Sequence, residues 1–215
     1  MTALKFFLLS LFVLSCLTDD RVRIEMYTES LCPDCIQFLS TSAVTAFNTK
    51  DFALIADIYL YPYGNARESQ SGSKWVFTCQ HGDNECVGNL MESCALNLTG
   101  KQNGLAFVLC VEANLDNYSQ DFTQAGTYCA GLFGVNMNDV NDCMQGDLGN
   151  QIQHDIAVQT ENLQPSHQYV PWVVVNGAHD TNVENQVLSD MLTYVCQSYQ
   201  GSVKIDACSQ KFLPL

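Results

Sequence analysis

The chain has 215 residues, 47% of them hydrophobic, enough for a core of its own, which excludes a miniprotein held by disulfides alone. Its formal charge of −14 argues against nucleic acid and anionic membranes as partners. An acidic surface serves solubility and also suits an acidic workplace, where carboxylates begin to protonate and self-repulsion falls.

Residues 1–18 read as a signal peptide. Lys5 supplies the positive start, and Phe6 to Leu14 form an apolar run too short to span a bilayer comfortably. Val13-Leu14-Ser15-Cys16 also resembles a lipoprotein cleavage box, a less favoured alternative in which Cys16 would carry lipid. No second long apolar stretch follows, so stable membrane insertion is not expected. The short stretch before the first strand leads us to expect little or no N-terminal propeptide. Without Cys16, ten of the 11 cysteines remain, an even number that suits an oxidising compartment.

The mature chain, 19–215, reads as one domain. Val22, Ile24 and Met26 alternate with Arg21, Arg23 and Glu25, the period of a β-strand. Ile36, Leu39, Ala43 and Phe47 then share one helical face. Between them lies Cys32-Pro33-Asp34-Cys35, with Pro33 suited to the first helical position. Cys32 would cap the helix, where free N–H groups and the positive end of the helix dipole favour a thiolate. Cys35, one turn on, is near enough to pair with it. That is a dithiol–disulfide exchange centre: Cys32 as nucleophile and Cys35 as resolving thiol. The other reading of such a pair is a structural disulfide or half of a zinc site. Asp34 is an unhelpful neighbour for a thiolate. Six residues before Cys32, where many thioredoxins keep a buried acid, stands Met26, so any proton acceptor must come from elsewhere or from water.

Phe52 to Tyr61 reads as a second strand, ended by a turn at Pro62-Tyr63-Gly64-Asn65. From Glu68 to about Pro165 strand signals stop. Helical patterns at 84–98, 104–114, 122–132 and 140–162, in a stretch that holds six cysteines, suggest a disulfide-stapled helical insertion at about 66–165. Asn97 and Asn117 head N-glycosylation sequons. Trp172 to Val175 restores strand character, and Asn176-Gly177 predicts a hairpin. Thr181 to Glu184 reads as a capping box, opening a last helix with Val187, Leu188, Met191, Leu192 and Val195 on its apolar face and Gly201 as its stop. Cys196 and Cys208, close across that stop, are expected to form one structural disulfide. The order β-α-β, helices, β-β-α predicts an α/β, thioredoxin-like fold with a helical, disulfide-rich insertion.

Four stretches carry a family resemblance. Residues 79–94, Cys-Gln-His-Gly-Asp-Asn-Glu-Cys-Val-Gly-Asn-Leu-Met-Glu-Ser-Cys, match the long signature of the gamma-interferon-inducible lysosomal thiol reductase family. Glu29 to Cys35, Pro62 to Ala66 and His167 to Trp172 are similar to that family too. The resemblance implies a lysosomal or secreted enzyme that reduces disulfides in protein substrates, often at acidic pH, with Cys32 and Cys35 as its reactive pair. Disulfide-containing, unfolded proteins would be its substrates and a small external thiol its electron donor, with no metal or organic cofactor. Cys79, His81 and Cys86 could in principle bind zinc, but structural disulfides are the favoured reading in a secreted chain. His81 is expected to orient or hydrogen-bond a loop, and His154, His167 and His179 to be surface or packing residues. Pro171 resembles the cis-proline loop that borders the sulfur pair of thioredoxin-like proteins, so Val170–Pro171 is expected to be cis and to wall a substrate groove. The alternative from another class is a secreted, disulfide-stabilised binding protein in which Cys32–Cys35 is structural.

Overall fold

The computed structural model describes residues 20–211. The expected signal peptide, residues 1–18, and with it Cys16, lies outside them.

Three strands form the central sheet, in the order β2-β1-β5. β1 (Val22–Thr28) lies in the middle, parallel to β2 (Ala56–Pro62) and antiparallel to β5 (Trp172–Val175). Ile24 and Met26 are fully buried, as the alternation in β1 predicts. β1 delivers the chain to α1 (Pro33–Phe38), which passes through a π-helical turn at Leu39–Ala43 into α2 (Val44–Phe47). Its apolar face packs into the main core with Ile24, Met26, Phe38 and Leu39. α8 (Thr181–Ser198) covers the same helix, and Ser42 fastens the two by donating to the Val187 carbonyl and accepting from Met191 N–H.

Between β2 and β5 stand five helices: α3 (Asp83–Thr99), α4 (Lys101–Asn114), α5 (Phe122–Phe133), α6 (Met137–Gln145) and α7 (Asp147–Glu161). Disulfides tie α3 to α6 through Cys94–Cys143 and α4 to α5 through Cys110–Cys129. Cys79–Cys86 closes the loop leading into α3, and Cys196–Cys208 joins α8 to α9 (Asp206–Lys211). Loops of 49 and 19 residues are closed by the first two. In the chain-entropy account each contributes about 3–4 kcal/mol. The thioredoxin-like α/β arrangement with a helical, disulfide-rich insertion is therefore the one observed.

Several details differ from the sequence reading. Residues 67–78 do contain strands: β3 (Arg67–Ser71) and β4 (Lys74–Thr78) pair as an antiparallel hairpin. β3 is polar and mostly exposed, so it carries no apolar alternation to reveal it. The second strand begins at Ala56, because Phe52–Leu54 make a 3-10 turn after Asp51 in the left-handed region. The single helical pattern at 140–162 is two helices broken at Gly146. Asn176-Gly177 does turn the chain, with both residues at positive φ. Its second arm is only the bridge Val175–Ala178, because Asp180 at once begins capping α8. Asp180, not Thr181, is that cap, accepting from Asn182 and Val183 N–H. Glu184 therefore does not close a capping box. It accepts instead from Val173 N–H and the Tyr169 hydroxyl. The helix ends at Ser198, before Gly201.

Candidate active site

The strand-to-helix junction after β1 holds two free thiols, Cys32 and Cys35, at 6% and 0% exposure. Cys32 caps α1 with Pro33 at the first helical position, and its sulfur accepts the Cys35 N–H at 3.3 Å. The Cys35 thiol donates to the Cys32 sulfur, which lowers the Cys32 pKa more than any other influence. Burial and the charge of Glu29 oppose this, while the N–H groups of Cys35 and Asp34 add to it. Cys35 goes the other way. Burial, then the contact with Cys32, push its pKa well above that of an ordinary thiol. The two neighbouring sulfurs are thus tuned in opposite directions, Cys32 toward the thiolate and Cys35 toward the thiol. The exposed Asp34 side chain proves less of an obstacle than its sequence position suggested, because its backbone N–H supports the thiolate.

Val170 comes 138 residues later to close the site. Its carbonyl lies 3.7 Å from the Cys32 sulfur, within hydrogen-bond reach of the thiol. Its bond to Pro171 is cis. A second cis bond, Gln164–Pro165, carried no signal in the sequence reading. Pro171 lines a groove of about 520 Å³ with Asp34, Phe38, Tyr169, Val170 and Leu188 among its walls. The groove therefore begins beside the dithiol. Trp172 is buried behind it, stacked on His179 at 3.5 Å between ring centroids. His179 Nδ1 faces the Val173 carbonyl at 3.0 Å, so it serves packing as expected.

On the opposite side, the first two turns of α3 grip the residues just before Cys32. Ser30 N–H donates to the Asn89 side-chain carbonyl at 2.9 Å, and the Ser30 hydroxyl donates to the Glu85 carbonyl at 3.1 Å. Gly88 makes this approach possible: a Cβ there would lie 2.3 Å from the Ser30 hydroxyl oxygen. Glu29, 1% exposed, accepts the Asn65 N–H at 2.8 Å. Gly64, at φ +58, leaves the room, since a Cβ there would lie 2.5 Å from the Glu29 carboxylate. Burial raises the Glu29 pKa, the charge of Glu85 adds to that, and His81 and the Asn65 N–H oppose it.

Glu29, His81 and Glu85 are the carboxylates and imidazole that the sequence reading left without a chemical role. Glu29 stands three residues before Cys32, and Glu85 one helical turn after His81. Those spacings were the available signal. Their possible ligand atoms lie within 4.8 Å of one another. His81 Nδ1 is nevertheless committed to Glu85, and the carboxylates also accept backbone N–H groups, so the trio is an internally satisfied ion-pair network. Cys79 and Cys86 are joined to each other, which leaves no thiolate there for zinc.

The remaining candidates lie apart from the dithiol. Asn97 is exposed on α3, and Asn117 is exposed in the 3-10 turn after α4. Cys196 and Cys208 are bonded to each other. His154 stacks on Trp75 and contacts Glu68 at 2.9 Å. His167, half-buried, is lowered by burial and then by Arg67. Within α3 and α4, Glu92 and Glu112 are buried side by side with no other polar partner.

Comparisons with known proteins agree with this geometry. Residues 23–133 match the family profile described as gamma interferon inducible lysosomal thiol reductase. A gamma-interferon-inducible lysosomal thiol reductase of Carassius auratus is 35% identical, covering 88% of this chain and 72% of its own length. Its namesake in Mus musculus is 36% identical, with 87% and 72% covered. A gamma-interferon-responsive lysosomal thiol protein of Arabidopsis thaliana is 34% identical, with 86% and 74% covered. A solved structure from Nitrosomonas europaea, described as a protein disulfide isomerase, superposes with a TM-score of 0.51 at 11% identity. It covers 74% of this chain and 87% of its own, and shares the fold.

Proposed function

The chain belongs to the gamma-interferon-inducible lysosomal thiol reductase family, and from that premise we propose that this thiol–disulfide oxidoreductase reduces protein disulfides through Cys32 and Cys35 in an acidic endolysosomal or secreted setting. The observation that carries this reading is the pair of adjacent free thiols at the start of α1, with the Cys32 sulfur capping the helix and facing the Val170 carbonyl; the opposed tuning of the two sulfurs supports it. Cys32 thiolate attacks a substrate disulfide. A Cys32–substrate bond forms, the substrate S–S bond breaks, and the departing sulfur takes a proton from solvent. Cys35 then loses its proton and attacks the Cys32 sulfur. The second substrate thiolate leaves, and an oxidised Cys32–Cys35 pair remains. Two equivalents of a small external thiol return the pair to its reduced form and leave joined as a disulfide, and neither a metal nor an organic cofactor takes part.

Pro171 and the groove beside it would hold an extended stretch of a disulfide-containing, unfolded substrate. No helix among the described residues is long and apolar enough to cross a membrane. We assign glycosylation to the exposed Asn117 in preference to Asn97, whose place inside a helix is poorer for modification. An unchanged gel mobility of secreted protein after glycosidase treatment would count against both sites.

The test uses Cys32→Ser and Cys35→Ser, each incubated with an unfolded disulfide-bearing protein, acid-quenched and run without reductant. Cys35→Ser should accumulate a thiol-labile adduct, because attack proceeds and internal resolution cannot. Cys32→Ser should show none. Equal adducts would remove the role assignment. No adduct and no wild-type turnover would favour a binding protein with a structural pair.

A further inference from the structure

The exchange chemistry above makes no use of the charged network behind the dithiol. Glu29 and Glu85 are 1% and 0% exposed, and His81 lies between them as their route to solvent. His81 Nδ1 is hydrogen-bonded to Glu85 and stands 3.5 Å from Glu29. The His81 N–H also donates to Glu85 at 3.3 Å. Two buried acids thus share one imidazole. Buried carboxylates are costly without a counter-charge, and a protonated His81 supplies one.

This network adjoins the sulfurs through its backbone. The Glu29 carbonyl accepts the Cys32 N–H at 3.3 Å, and the Glu29 N–H faces the Cys35 sulfur. The loop that carries His81 is closed by Cys79–Cys86 and held against Ser30. We propose that Glu29, His81 and Glu85 form a positioning unit that holds a positive charge behind the Cys32 sulfur and so sets how readily Cys32 attacks a disulfide. This rests on the assignment of Cys32 as nucleophile.

The electrostatics follow from the same contacts. A negative Glu29 disfavours thiolate at Cys32 and at Cys35. Thiolate at Cys32 favours a protonated His81, and by reciprocity a protonated His81 favours the thiolate. Burial pulls the His81 pKa down, but Glu85, Glu29 and Cys32 outweigh it and raise it. The other ionisable groups around the dithiol are acidic or neutral: Asp34 on α1, Cys35 itself, and Glu112 on α4 with its partner Glu92 on α3. His81 answers them with the opposite sign. As pH rises, the unit grows more negative, as Glu29, raised by burial, ionises and His81, raised by its acidic neighbours, loses its proton. Cys32 is therefore best supported under acid.

Two substitutions of opposite electrostatic sign separate this role from plain structural support. Site-mapped alkylation of Cys32 is followed on the reduced mature protein at about pH 6.5, where an imidazole is readily titrated. Glu29→Gln keeps an acceptor for Asn65 but removes the negative charge, and should speed Cys32 alkylation roughly three- to tenfold. His81→Gln should slow it by about the same factor. His81→Lys, which keeps the charge, should restore a rate within about twofold of wild type. Thermal melts establish that each variant is folded. Should Glu29→Gln not fold, the partly exposed His81 pair carries the test alone. Both substitutions moving the rate in one direction, no change on His81→Gln, or no rescue by lysine would overturn the unit while leaving the dithiol assignment standing. If Cys32→Ser keeps the fast-reacting thiol, the nucleophile assignment itself falls, and the unit with it.

Discussion

Two cysteine pairs in this protein are set beside helix N-termini and end in opposite chemical states. Cys32 caps α1 and Cys35 follows in its first turn, both as free thiols. Cys86 lies in the first turn of α3, bonded to Cys79 in the loop before it. A helix start alone therefore does not make a reactive dithiol. Around Cys32 the sulfur of Cys35 and two backbone N–H groups converge on one atom, and a remote carbonyl from Val170 faces it. The Cys79–Cys86 pair instead closes a seven-residue loop that keeps His81 and Glu85 against Glu29. In the function we propose, the first pair handles electrons, while the second shapes the wall beside it.

The comparison is broken most severely at Cys32. Cys32→Ser should lower disulfide-reductase turnover by at least about a thousandfold, since a hydroxyl is hardly ionised and cannot exchange. Replacing both Cys79 and Cys86 with Ala should lower it by no more than about tenfold, through loosening of the loop. Insulin reduction with a thiol donor measures both, and comparable losses would erase the distinction. Next comes the stapled helical region. Removing Cys94 and Cys143 together should cost about 2–5 kcal/mol of stability, read from chemical denaturation, with Cys32 alkylation unchanged wherever the protein is still folded.

A smaller effect is expected at the Glu92–Glu112 pair. Burial raises Glu92 to about 7 and drives Glu112 well above its ordinary value. Acids raised on folding bind protons more tightly in the folded state than in the unfolded one. The Glu92 contribution is complete below the unfolded value of 4.5 and is lost as pH rises through about 7. Glu92→Gln should therefore flatten the loss of stability between pH 5 and pH 8 and stabilise the protein at the upper end by on the order of 2 kcal/mol. Urea midpoints at the two pH values test this. The smallest change is at the last helix, where Asp180→Ala removes the cap of α8 and should cost about 1 kcal/mol, visible as a modest drop in melting temperature.

Much of this was legible in the sequence because it rests on local rules. The period-two run into Cys32, Pro33 at the first helical position and the helical face of Ile36 to Phe47 together identify the junction. The eight other mature cysteines could be paired off as structural, although spacing alone singled out only Cys196–Cys208. What escaped was non-local or lacked apolar contrast. β3 is polar, and its partner β4 shows only Trp75 and Phe77 turned inward, so the hairpin offered little alternation. Gly146 divides α6 from α7 within a continuous helical pattern. Glu29 was the larger omission. Attention to the position six residues before Cys32 found Met26, whereas the buried acid stands three residues before it and depends on Gly64, Asn65 and His81 from other segments.

The central claim is that the two thiols of one turn titrate far apart and in a set order. Its most direct measurement is site-resolved alkylation of the reduced wild-type protein across pH 5 to 9, with Cys32 and Cys35 quantified separately by peptide mass. Cys32 should react through a transition below that of an ordinary thiol and keep measurable reactivity at the acidic end, while Cys35 stays unreactive throughout. Two cysteines rising together near the ordinary thiol value of about 8.5, or Cys35 reacting first, would contradict it.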